Sequence, residues 1–436
     1  MSDLTLGLLS FPALLILIFL RVPIGLAMFV TGFVGLYMVT GGNTVALSRL
    51  KNETYTTFSS YSLSIVPMFL LMGHFATLGG MSRALFRAAE GFLGHRRGGV
   101  AMAAVGACAG FGAICGSSLA TAATMGRVAL PEMKRYGYDG GFATASLAAG
   151  GTLGILIPPS VVLVIYAILT EQNIATLFLA AFVPGLLAAL GYMIAVSVYV
   201  RINPRAAGVA APLPMRDRMR RLLAVWPVVA VFVAVVGGIY GGIFTPTEAA
   251  AVGAAGTGLI ALANGGLTGR TLIESFTTTA KSSAMIFFIV LGAGFYNGFL
   301  AFTQVPQEMS AWVVGQNFAP MTVLVVILLF YLILGCLMDS LSMILLTIPI
   351  FFPVVAALDF GMTAEEVAIW FGILVLIVVE VGLITPPVGL NLFVINAMDR
   401  DTPMLETYRA VVYFLASDVV RVVLLVAFPA ITLFLI

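Results

Sequence analysis

Two short stretches carry oxygen-bearing side chains where apolar arms meet. One is Cys115-Gly116-Ser117-Ser118, between the apolar arm 98–114 and a returning arm 119–133; the other is Met338-Asp339-Ser340, inside GCLMDSLSMILLTIPIFFPV. Each is followed by an apolar run broken by a proline pair, Ile157-Pro158-Pro159-Ser160 in the first case and Thr385-Pro386-Pro387 in the second. A proline pair removes two backbone donors and clashes with the preceding turn, so a helix cannot pass through unbroken. In hydrocarbon the freed carbonyls are tolerable only where protein, water or a bound ion satisfies them. Hydroxyls and unwound carbonyls together suit a hard cation such as Na⁺.

Ser117, Ser118, Gly151 and Pro158 are the candidates for one cation site, and Asp339, Ser340, Gly382, Thr385 and Pro386 for a second. Small residues also let helices pack closely, which is the plainer reason to find Ser and Gly at such places. Laying Pro158-Pro159 over Pro386-Pro387 brings Ser117-Ser118 near Asp339-Ser340 and sets Thr152 opposite Glu380. Two interrupted helices in corresponding halves point to the midplane site of a secondary transporter. Asp339 and Glu380 are the informative charges, because a carboxylate near the midplane is costly unless paired, hydrated or protonated. Glu380 has no obvious partner in the sequence. Helix halves that begin after each break aim positive dipole ends at an anion between the two sites. Ser118, Thr152, Ser160, Ser340, Glu380 and Asn391 are the candidates to touch it. No arginine is expected in this core.

The elements that must hold these residues are membrane helices. Hydrophobic residues make up 61% of the 436 and charged ones 9%, against roughly a quarter charged in an ordinary soluble domain. The composition implies an all-α polytopic membrane protein, and nucleic acid is not a suggested partner. Spans are expected near 4–20, 23–42, 61–80, 142–169, 174–200, 222–243, 247–264, 282–303, 366–398 and 408–436, with 98–134 and 320–357 as re-entrant hairpins. The amphipathic stretches 44–58 and 305–318 leave the count open between ten and eleven. With the N-terminus outside, every basic residue except Arg49, Lys51 and Arg421 falls inside, as the positive-inside rule requires. Hairpin 98–134 then opens to the cytoplasm and 320–357 to the outside, so the two units are inverted repeats. The units divide the chain into scaffold 1–97, core 98–170, scaffold 171–319 with the basic link 201–221, core 320–398, and a last helix 399–436.

Other marked residues have plainer readings. Asp418 and Arg421 stand three apart on one helix and suit a local ion pair. Glu248 follows Thr245-Pro246 as an ordinary helix start, and His74 reads as a packing residue in an apolar span. Cys108, Cys115 and Cys336 lie in apolar runs without CxxC or metal spacing. The N-terminus lacks a positive start and a small-residue cleavage site, so it reads as a retained first helix. Gly116-Ser117-Ser118-Leu119-Ala120 fits a loose G-x-S-x-A protease pattern, but His74 and His95 both lie upstream and no HExxH, GxGD or phosphate loop is present. An enzyme is not expected; a channel or scaffold subunit is the plainer alternative.

GSSLATAATMGRVALPEMKRYGYDGGFATASLAAGGTLGILIPPSVVLVIYAILTEQ, with GGIFTPTEAAAVG, MDSLSMILLTIPIFFP and EVGLITPPVGLNLFVINA, resembles the large membrane subunit of tripartite ATP-independent periplasmic (TRAP) transporters over essentially the whole chain. The resemblance implies a Na⁺-coupled importer in the bacterial inner membrane with a periplasmic N-terminus. It implies a small four-helix membrane subunit and a periplasmic binding protein that delivers a small organic anion, with C4-dicarboxylates and sialic acid in the family's range. It also implies an elevator motion, in which hairpins and broken helices carry substrate past fixed helices. By position it extends the two Na⁺ sites to Gly116-Ser117-Ser118 with Gly151 and Pro158, and to Asp339, Ser340, Gly382, Thr385, Pro386 and Val388. The chain has the length of an unfused large subunit. Stand-alone dicarboxylate–Na⁺ symporters share the architecture but carry Ser-Asn-Thr at their tips, which are lacking here.

Overall fold

Every regular element in the computed structural model is a helix. It describes residues 2–316 and 318–436; Met1, at the start of the first expected scaffold unit, and Asn317, in the open stretch 305–318, lie outside the described residues. Hairpin 1 consists of Gly99–Cys115 and Ser118–Arg135, and hairpin 2 of Pro320–Gly335 and Ser340–Ala356. The turns come from local chemistry. Gly116 adopts φ 62°, which favours glycine. Ser117 and Asp339 then cap the returning arms, accepting hydrogen bonds from Ala120 N at 3.5 Å and Ser342 N at 3.1 Å. Both tips are buried, with Ser118 1% and Ser340 5% exposed. A loop that crossed to the far surface would be hydrated, so the hairpins are re-entrant.

Each hairpin is followed by a broken helix. Broken helix 1 is Gly140–Leu156 and Val161–Thr170, bent by 43°, with Asp139 capping the first piece and Ser160 the second. Broken helix 2 is Ala364–Gly382 and Leu390–Asn396, entered through a capping box in which Thr363 and Glu366 satisfy each other's backbone N–H groups. Both proline–proline bonds are cis. The second piece of each broken helix lodges in the other repeat. Val161–Thr170 packs on Ser340–Ala356 and Ala364–Gly382, while Leu390–Asn396 packs on Ser118–Arg135 and Gly140–Leu156. Glycines allow equivalent close approaches in the two halves, as small residues do between membrane helices. A Cβ built on Gly112 would sit 2.6 Å from Gly154 Cα, and one on Gly382 would sit 2.6 Å from Gly335 Cα.

The remaining helices flank this core. Ile24–Thr40 runs along Gly269–Thr303 through Gly32, where a Cβ would lie 2.8 Å from Tyr296 N. Ile65–Leu78 packs on Pro246–Ala263, and Met404–Ala427 lies against Gly140–Leu156 and Ile174–Ile202. Large apolar side chains such as Ile16, Ile194, Val233, Ile333 and Val423 point outward, as they do when lipid is the solvent. The expectation of ten spans needs qualification by length. Among the described residues four helices are long and apolar enough to cross a bilayer, and six are if the two bent pairs count as one span each. The rest are shorter, more charged or less apolar. Asp3–Phe19 and Ile24–Thr40 have 17 residues each, and Ala364–Gly382 carries Glu365, Glu366 and Glu380. The two open stretches are the helices Asn43–Ser59, which meets Ser62–Leu78 at 54°, and Val305–Gly315. Side chains from the links expected inside meet at one end of the bundle around a cavity of about 1100 Å³ that includes Arg83, Arg87, Arg135, Arg220 and Arg221.

Candidate substrate and cation site between the hairpin tips

Three helix beginnings converge on a cavity of about 110 Å³. Its walls include Ser117, Ser118 and Leu119 of hairpin 1, Val161 and Val162 after the first break, and Asp339, Ser340 and Leu341 of hairpin 2. Each start directs unpaired N–H groups and a positive dipole end inward. The dipole expectation thus shifts from the two post-break halves to the two returning arms and one post-break half. Leu390–Asn396 has only 7 residues, too short for a sizeable dipole.

Behind the tips lies Glu380, fully buried. Its partners, invisible in the sequence, are the tip serines themselves: Ser118 Oγ donates to Oε2, and Ser340 Oγ donates to Oε1 at 2.8 Å. No basic side chain pairs with it among the described residues. Glu380 does not line the cavity; the serines stand between.

Further oxygen atoms gather beside the first tip and in the second break. Thr121 Oγ1, three residues into the returning arm, is buried without a hydrogen-bond partner. A Cβ on Gly154 would meet that same oxygen and lie 2.8 Å from Ser117 O. Across the break, Pro159 O faces Gly116, 3.0 Å from a Cβ built there. In the second half Gly389, at φ 64°, sits over the carbonyls of Leu383 and Thr385, each 3.3 Å from a built Cβ. Hydroxyl and carbonyl oxygens with little nitrogen or sulfur form a donor set suited to Na⁺. No cluster of three His, Cys, Asp or Glu side chains occurs among the described residues.

The other candidates are spread between the cavity, the two breaks and the packing behind them. Gly116, Ser117, Ser118, Asp339 and Ser340 share the cavity. Thr385, Pro386 and Val388 are half-buried in the second break, and Gly382 is spent on the approach to Gly335. Gly151 backs onto Ala122, 2.6 Å from its Cβ, so its missing side chain serves packing. Pro158 and Ser160 are buried at the first break. Asn391 donates to Ala148 O at 3.2 Å and leaves a buried Oδ1 without a partner. Thr152 is not brought to the tips. It meets Tyr192 Oη at 3.0 Å, Tyr192 donates to Asp418 at 3.0 Å, and Arg421 pairs with Asp418 at 2.7 Å. The local Asp418–Arg421 pair is thus present, but buried and tied to the first broken helix. Gly154 and Thr121 escaped sequence reasoning. The signal for Gly154 was its place four residues before Pro158, matching Gly382 before Pro386.

A family profile described as the DctM component of tripartite ATP-independent periplasmic transporters matches residues 11–431. The chain belongs to this family. It is 38% identical over 398 residues to the C4-dicarboxylate TRAP transporter large permease protein DctM of Pseudomonas aeruginosa, covering 89% of each chain. It is 32% identical to the Rhodobacter capsulatus protein of the same description, covering 98% of each. With the Ruegeria pomeroyi ectoine/5-hydroxyectoine TRAP transporter large permease protein UehC it shares 32% over 98% of this chain and 97% of that one. A crystal structure of the Alcanivorax borkumensis YdaH transporter has the same fold at a TM-score of 0.65 and 14% identity, covering 88% of this chain and 89% of that one. The chain is a TRAP large permease subunit, a multi-pass membrane protein and not an enzyme.

In this TRAP subunit two further cavities share walls with the site in turn. A cleft of about 390 Å³ between hairpin 1 and the helices Ile65–Leu78 and Gly269–Thr303 contains His74, Thr124, Arg127 and Glu274. It shares Leu70 and Ser117 with the tip cavity, and Leu78 and Arg127 with the arginine-rich cavity. Two expectations are corrected. His74 faces this cleft rather than serving as plain packing. The core does contain an arginine, since Arg127 stands on the returning arm of hairpin 1, although none lines the tip cavity.

Proposed function

We propose that this subunit carries out Na⁺-coupled uptake of a small organic acid, working with a small membrane subunit and a periplasmic binding protein in the bacterial inner membrane. The observation that carries the reading is the tip cavity. Three helix starts supply positive ends for a carboxylate without any arginine, while tip hydroxyls and break carbonyls supply oxygen for cations. Its relatives include C4-dicarboxylate, sialic acid and ectoine transporters, which supports a small organic acid as the substrate class. Hairpins and broken helices move as one body against Ile24–Thr40 and Gly269–Thr303, an elevator stroke. The Arg127 cleft, between the tips and the basic end, is the exit that this stroke opens.

The test is uptake into proteoliposomes holding both membrane subunits, with binding protein outside and a Na⁺ gradient as the only driving force. Uphill uptake is expected, and a channel gives only downhill flux. Asp339→Asn, Ser118→Ala and Ser340→Ala each raise the Na⁺ concentration needed by about tenfold, the size of one lost hydrogen bond or ligand. Unchanged Na⁺ dependence in all three rejects the sites. Full activity without the binding protein rejects the tripartite assembly.

A further inference from the structure

Among the described residues Glu380 is the one side chain hydrogen-bonded to both hairpins. One carboxylate oxygen takes the proton of Ser118 and the other that of Ser340. These serines lie 222 positions apart and belong to opposite repeats. The helix bearing Glu380 is fixed to both repeats. Gly382, two residues on, is in backbone contact with Gly335 of hairpin 2, and Tyr166 of broken helix 1 donates to Ala368 O at 2.6 Å. The carboxylate therefore cannot follow one tip without drawing on the other.

The hydroxyl chemistry gives this tie a direction. A serine has one proton and two lone pairs, and an ionised carboxylate only accepts. With both protons turned back toward Glu380, the lone pairs of Ser118 and Ser340 are left for the cavity that both residues line. A cation held by one hydroxyl keeps that hydrogen on Glu380 and so fixes the carboxylate for the other serine, and a site already ordered costs less to fill. We propose that Glu380 is a positioning residue that couples the two cation sites, so that loading at one hairpin tip prepares the other. The proposal rests on the Na⁺-coupled reading above and adds to it that the two sites do not fill independently.

The test is equilibrium binding of radioactive Na⁺ to the purified complex of large and small subunits, with choline chloride keeping ionic strength constant. Wild type is expected to bind with a Hill coefficient approaching about 2, the number of sites. In Glu380→Gln the amide offers one acceptor oxygen and an NH₂, so one serine must turn its hydrogen toward the cavity. The Hill coefficient then falls to about 1 and half-saturation rises about tenfold. Glu380→Asp, too short to reach both serines, gives the same fall in steepness and serves if the Gln variant does not yield folded complex; melting in choline chloride checks folding. No saturable Na⁺ binding in wild type defeats the Na⁺-coupled reading itself. Saturable binding with a Hill coefficient already near one, or unchanged in both variants, defeats only the tie.

Discussion

Around Pro158-Pro159 every residue from Gly151 to Ser160 is buried, whereas around Pro386-Pro387 Thr385, Pro386 and Val388 are half-buried and Pro387 is exposed. The first break is roofed by Ile174–Ile202, whose Gly185 approaches so closely that a Cβ would sit 3.0 Å from Leu156 O. The second is crossed by Tyr408, which donates to Pro387 O at 2.6 Å. The same contrast recurs six residues earlier, where Thr152 turns outward to Tyr192 and Glu380 turns inward to both tips. One motif used twice thus gives one sealed and one accessible break. Local proline chemistry makes the gap, and the packing around it decides who can reach it.

The sharpest way to break the comparison is to exchange the unequal residues. Thr152→Glu places a second carboxylate beside Asp418 in a fully buried position, and an uncompensated buried charge costs about 4 kcal/mol. Little monodisperse protein is expected on size exclusion, and normal yield would mean that the halves are more alike than their contacts. Gly112→Ala and Gly382→Ala should act alike, each losing about 2 to 3 kcal/mol because the new methyl meets backbone. A thermal melt in which only one variant suffers would show that the two glycine contacts are not equivalent. Accessibility is sharpened by labelling. A polar maleimide should modify Val388→Cys about tenfold faster than Ser160→Cys, since thiol reactivity follows exposure, with little background from the buried Cys108, Cys115 and Cys336.

The smallest effect concerns a link between the halves at the basic end. Lys134, in the last turn of hairpin 1's returning arm, donates to Asp399 at 2.5 Å, beyond broken helix 2. This hydrogen bond raises the amine's pKa above the ordinary lysine value. The pair's contribution is complete at neutral pH and is lost as pH rises through the raised value. Because the amine is 43% exposed, Lys134→Gln is expected to cost about 0.5 kcal/mol. The gap from wild type in melting temperature should close only at strongly alkaline pH.

The parts legible in the sequence were those with a local cause. Proline pairs break helices, Ser117, Ser160 and Asp339 cap the helices after them, and apolar arms flank small polar tips, so hairpins and breaks could be placed to within a few residues. Contacts across the fold left no such trace. Glu380 to Ser118 spans 262 positions, and nothing near either residue announces the other. Overlaying the proline pairs sets Thr152 opposite Glu380, yet their partners differ because Tyr192 of Ile174–Ile202 and Asp418 of Met404–Ala427 reach toward Thr152, while the tip serines reach Glu380. Arg127 was counted among cytoplasmic charges, and its role as a wall of the cleft required knowing which helices face hairpin 1.

The exchange of post-break segments bears on how the chain is made. When the ribosome has delivered the first two hundred residues, the groove on Ser118–Arg135 and Gly140–Leu156 still lacks Leu390–Asn396, and Val161–Thr170 still lacks Ser340–Ala356, on which it chiefly packs. Neither repeat can finish folding as it leaves the translocon, and split genes encoding the halves would have to be co-expressed to give stable protein. Assembly of the carrier is a late, concerted event that waits for the last tenth of the polypeptide.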